Sequence, residues 1–91
     1  MTVNTISIRG KRYTISNVPA PSGECDHPMT AKKLIAIPKD GDTMGELVVI
    51  IHEMLHAAFW DLDEEVVDQV GYDIGRALWR LGWRLDEDQV A

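Results

Sequence analysis

The sequence lacks a second cysteine: Cys25 stands alone, so no disulfide can form within the chain, and an intracellular setting is the expectation. No basic stretch with a short apolar core opens it, and no apolar run reaches the roughly 20 residues that span a bilayer. A cytoplasmic protein with no membrane partner is therefore expected. Histidine is scarce, confined to His27, His52 and His56. Positive charge runs short in one half. Residues 1–40 carry six Lys and Arg against three acids, a net of +3, whereas residues 41–91 carry three Arg against twelve acids, a net of −9. An acidic second half repels phosphate, so nucleic acid is not an expected partner. No internal repeat or low-complexity tract occurs. The length of 91 residues leaves room for one domain, 1–91, near the lower size at which one apolar core suffices.

What is present is alternation, then helical spacing. Ile6 and Ile8 alternate with Thr5 and Ser7 in residues 3–9, and Tyr13 and Ile15 alternate with Thr14 and Ser16 in residues 13–18. With Arg9-Gly10-Lys11-Arg12 between them, these predict a β-hairpin. Residues 19–30 read as a loop, because Pro19, Pro21 and Gly23 break the pattern. Residues 33–37 are short, apolar and stopped by Pro38, which predicts a third strand, and residues 39–42 form a turn.

Thr43-Met44-Gly45-Glu46 has the form of a capping box. It starts a helix expected from 44 to about 60, with Leu47, Ile51, Leu55 and Ala58 or Phe59 turned to the core. Asp63 is placed to cap a second helix, 64 to about 81, with Val67, Val70, Ile74, Ala77, Leu78 and Leu81 as its apolar stripe. Gly82 ends that helix, and residues 86–91 make an acidic tail. The predicted fold class is α+β: a three-stranded sheet, hairpin plus edge strand, packed on two helices.

The chemistry sits in His52-Glu53-Met54-Leu55-His56. On a helix the two histidines lie four residues apart on one face, where both imidazoles can reach one zinc ion. Glu53 then falls where a carboxylate can take a proton from a water beside that ion. Chance produces such a pentapeptide in under about 1% of chains this long. Here it lies inside an apolar, helix-spaced run that can hold the side chains in place.

Two imidazoles hold zinc weakly, so a third ligand is needed. The acids opening the second helix are candidates, and helical phase ranks them. Glu64 lies nearer the core direction than Glu65, and Asp63 is expected to be occupied by capping amides. Glu64 and Asp68 are spaced i, i+4, so that one can bind metal while the other receives a ligand histidine N–H.

At this point the chain resembles the zincin metallopeptidases. His52, Glu53 and His56 match the first zincin motif, and Glu64 with Asp68 resembles the glutamate helix of the gluzincins, at a shorter spacing than those enzymes use. The size and element order are similar to minimal gluzincins, to ImmA/IrrE-type and SprT-like domains, and to short metallopeptidases encoded by phages. The resemblance covers residues 46–68 and is only topological elsewhere. It implies a zinc-dependent endopeptidase acting on a protein or peptide, with Zn2+ held by His52, His56 and Glu64, Glu53 as general base, and residues 33–37 as the edge strand on which substrate pairs. A phage-encoded chain of this kind would work in the host cytoplasm. The alternative is a non-catalytic, zincin-like metal-binding module that recognises or regulates a partner protein.

Further positions carry a weaker expectation. Cys25-Asp26-His27 lies before the third strand, where the thiolate could cover the metal or His27 could donate to the transition state. Tyr72, and less so Tyr13, are the other candidate donors. Trp60, Trp79 and Trp83 read as structural.

Overall fold

The structure, a computed structural model, describes residues 4–18, 23–38 and 43–84. Val3, the turn at 39–42 and the acidic tail at 86–91 lie outside the described residues, as does the 19–22 part of the predicted loop.

Four strands and two helices follow one another: β1 (Thr5–Ile8), β2 (Lys11–Val18), β3 (Glu24–Cys25), β4 (Lys33–Pro38), α1 (Met44–Ala58) and α2 (Glu64–Arg80). The fold is α+β, and the sheet is mixed, in the order β1-β2-β4-β3. The hairpin is tighter than the predicted four-residue connection. Ile8 pairs directly with Lys11, leaving Arg9 and Gly10 as the turn, with φ of 50° and 76°. Two successive positive φ values suit the right-handed twist of a hairpin, but for arginine that conformation costs about 1 kcal/mol.

The largest departure concerns β4. The sequence places it at the sheet edge, yet it pairs in parallel with β2 along its length and antiparallel with β3 at Glu24↔Ala36 and Cys25↔Ile35. β4 is therefore an inner strand of a four-stranded sheet, and the two-residue β3 takes the edge. Ile35, Ala36, Ile37 and Pro38 are all buried. A continuous apolar run marks such an inner parallel strand, whereas an edge strand alternates.

α1 lies in the middle of the molecule. It packs on the sheet with one side and on α2 with the other, and α2 touches no described strand. Ile50 and Ala57, with Met54 beside them, join Tyr13, Ile35 and Ile37 in the core. The predicted stripe Leu47, Ile51 and Leu55 is only half-buried, and Phe59 is exposed. A helix covered on two sides is apolar nearly all round, so its period does not point to one core face. Thr43 caps α1 as predicted, its hydroxyl accepting from the Glu46 N–H at 3.2 Å.

Val67 is buried as the hydropathy stripe of α2 predicts, but the residues buried in line with it are Gly71 and Gly75, which the stripe does not include. Ile74 and Leu81, expected inward, are 40% and 75% exposed. The glycines let the helix backbones approach. A Cβ on Gly75 would lie 2.7 Å from Val48 Cγ2 and 3.0 Å from Val48 Cα, and one on Gly71 would lie 3.4 Å from His52 Cα. Gly75→Ala must therefore push α2 off α1. It should destabilise the protein by about 1–3 kcal/mol despite alanine's better helix propensity, measurable as a lower denaturant midpoint. Asp63 occupies the N-cap of α2, but its side chain makes no capping hydrogen bond; its carbonyl accepts from the Val66 and Val67 N–H groups. At the other end Gly82, at φ 99°, closes a Schellman turn in which the Trp83 N–H reaches Leu78 O at 3.0 Å. No helix among the described residues is long and apolar enough to cross a membrane.

Candidate metal centre

One turn of α1 separates His52 from His56, and both half-buried rings point at the start of α2. The chain reverses between Phe59 and Asp63, with the Leu62 N–H donating to Phe59 O at 3.1 Å, and this brings Glu64 back alongside them. His52 Nε2 and His56 Nε2 are 3.0 Å apart. Glu64 Oε1 lies 3.0 Å from His52 Nε2, and Glu64 Oε2 lies 3.2 Å from His56 Nε2. Lone-pair atoms so close repel one another unless a proton or a cation stands between them. Four-coordinate zinc, with bonds of about 2.0–2.2 Å to nitrogen and oxygen, sets its ligand atoms about 3.3 Å apart, so the spacing fits such an ion. His52, His56 and Glu64 form a group that could bind a metal ion.

Asp68 extends the group by one shell. Its Oδ1 lies 3.2 Å from His52 Nδ1, the ring nitrogen turned away from the other imidazole. A carboxylate there accepts a hydrogen bond from Nδ1–H, which keeps the ring proton on Nδ1 and leaves Nε2 bare, the tautomer a ligand needs. Asp68→Ala should weaken metal affinity about 10- to 100-fold with little loss of fold, read by competition with a chromophoric chelator.

Glu53 is the only charged residue buried among the described ones, at 7% exposure. Burial drives its carboxyl above the usual range; the neighbouring His56 pulls it down, and Glu64 and Glu24 push it up again. It faces β3 rather than α2. A Cβ on Gly23 would stand 3.1 Å from Glu53 Oε2 and 2.6 Å from Val49 Cγ1, so the backbone entering β3 lies directly over the carboxylate. The two histidines, Glu53 and Glu64 open on one cleft of about 640 Å³, bordered by Glu24 and Trp60. A carboxylate with a raised pKa beside three converging lone pairs can hold a proton and pass it on at a site where a cation activates water.

The remaining predicted residues fall elsewhere. Glu65 is exposed and contributes nothing to the group, and Tyr72 is 47% exposed on α2, away from the residues lining the cleft. Tyr13 is fully buried, its hydroxyl without a partner among the described residues, so it belongs to the core. Cys25 is part of β3 rather than a loop. Its Sγ donates to Asp26 O at 3.4 Å, and burial, with Glu53 and Asp26 nearby, raises the thiol to about 11. It borders the cleft but stands outside the metal-binding group. His27 stacks edge-on against Trp60 at 4.8 Å, and Trp60 lies 6.0 Å from the His56 ring.

Three neighbours of the site are not legible as such in the sequence. Gly23 reads there only as a loop breaker, Glu24 sits in a strand too short to show alternation, and Trp60 reads as structural. The one available signal is the apolar, chargeless run from Val48 to Ile51, which requires cover on more than one side of α1. In comparisons with known proteins, no family model, no curated protein and no solved structure matches this chain.

Proposed function

We propose that this protein is a zinc-dependent peptidase that hydrolyses a peptide bond within a protein substrate. The observation that carries the reading is the placement of Glu53, buried on α1, on the same cleft as the His52, His56 and Glu64 lone pairs. His52, His56 and Glu64 would hold the ion, and Asp68 would fix the His52 ring. When bound, zinc supplies a Lewis acid that lowers the pKa of water toward neutrality and polarises a carbonyl.

The chain's own residues supply the rest. Glu53 takes a proton from the attacking water as its oxygen adds to the scissile carbonyl carbon. It returns that proton to the amide nitrogen as the C–N bond breaks, so the carboxylate is regenerated at the end of the cycle. β3 borders the cleft with its outer edge unpaired among the described strands, so an extended substrate would add there. On this reading the substrate-pairing role passes from β4, where the zincin resemblance puts it, to β3.

Metal analysis of the purified chain and digestion of a peptide library, with and without chelator, test the reading. Zinc at one equivalent and cleavage that chelator stops and added zinc restores are the expected results. Bound zinc with no cleavage of any library member would leave the alternative, a metal-binding module that recognises a partner protein without cutting it.

A further inference from the structure

Trp60 is a wall of three clefts, two of which hold titratable clusters. One is the cleft of Glu53 and the histidines; the other, of about 310 Å³, is lined on its polar side by Arg9, Lys11, His27 and Asp61. Each basic group arrives there by a separate route. Arg9 comes from the hairpin turn, in a left-handed conformation that asparagine or glycine would adopt with less strain, so its side chain rather than its backbone suits the position. It commits Nη1 to Ala58 O at 3.0 Å, which covers the negative end of α1 and leaves the rest of its fork of donors. Lys11 is the first residue of β2, and its side chain has no hydrogen bond or ion pair among the described residues.

His27 is fixed in tautomer. The Met29 N–H donates to its Nδ1 at 3.0 Å, so the ring proton is on Nε2 and can be donated. Two cations and one N–H thus face a single acid, Asp61, a local excess of positive charge on a chain of net −6.

We propose that this second cleft binds a carboxylate of the substrate. The inference rests on the peptidase reading for the identity of the ligand as a peptide, but not for the existence of the anion site. The Trp60 ring contacts His27 on one side and His56 on the other, its centroid 4.8 Å and 6.0 Å from theirs. An extended chain advances about 3.3 Å per residue, so the carboxylate would lie within about three residues of the scissile bond. It can come from an aspartate or glutamate side chain or from the peptide's C-terminus.

The test uses the full chain carrying Glu53→Gln, loaded with zinc and isotope-labelled, so that binding is read without turnover. Two probe pairs are titrated while the Trp60 indole and His27 ring resonances are followed by NMR. Acetyl-trialanine as free acid is compared with its amide, and acetyl-Ala-Asp-Ala-amide with the Asn analogue. At least one acid should shift both resonances and bind about tenfold tighter than its neutral partner, and the pair that does so identifies the source. Lys11→Ala and His27→Phe should each bring that ratio toward one, and Lys11→Arg should keep it. Equal binding of acid and neutral probes in both pairs overturns the proposal. Should the parent chain cut no peptide yet the acids still bind preferentially at these resonances, the peptidase reading falls and the anion site stands. Chelator-sensitive cleavage with no preference for acids keeps the peptidase and removes the anion site.

Discussion

Glu53→Gln protein should hold zinc as tightly as the parent and lose peptidase activity by about 10²- to 10⁴-fold, the range that a positioned general base contributes. Glutamine matches the glutamate in volume, which matters where Gly23 leaves no slack over the carboxylate. It cannot accept the proton. A second measurement separates chemistry from folding. In the metal-free parent, burial raises the Glu53 pKa in the folded state, so its contribution to stability is present below the ordinary carboxylate range and is lost as pH climbs toward the raised value. The glutamine variant lacks that titration, so between acid and neutral pH its stability should fall less than the parent's. Unchanged turnover in the variant would remove Glu53 from the mechanism, whatever the stability profile shows.

Chelation should produce the second large effect. An ion bridging α1 and α2 binds only the folded chain, and at free zinc about 100 times its dissociation constant it adds about 2.7 kcal/mol. In a domain of this size that is a rise of roughly 10–20 °C in Tm. Glu64→Ala should lose most of the rise, because two imidazoles remain without the carboxylate that closes the group, and His56→Ala should abolish it. The parent's own metal-free Tm should hardly move in Glu64→Ala, since the Glu64 side chain is 64% exposed. A chelator that leaves Tm unaltered, in protein that purifies without metal, would mean the three lone pairs meet without an ion.

Local patterns are legible in the sequence and layered ones are not. Thr43 capping α1, the i, i+4 histidines and Gly82 closing α2 all depend on neighbours within one or two turns. Their geometry is settled by the chain immediately around them. The place of β4 depends on β3, and Glu24–Cys25 is too short for any period to show. Of the buried face of α2 only Val67 is legible, because glycine counts for nothing on a hydropathy scale, whereas here Gly71 and Gly75 mark where two backbones meet. Position alone assigns Asp63 to capping, and its side chain makes no capping hydrogen bond. The neighbours of Glu53 are illegible for a similar reason: Gly23 matters through an absent side chain, and Trp60 through lying beyond the end of α1.

Because α2 rests on α1 and on no described strand, it can act as a lever. Its fulcrum is the pair of glycine contacts, Gly71 on His52 and Gly75 on Val48, and its longer, N-terminal arm carries Glu64 and Asp68. A small swing about that fulcrum would draw both acids away from the imidazoles while Tyr13, Ile35 and Ile50 stay packed. Loss of an ion held there would then be separable from melting of the interior.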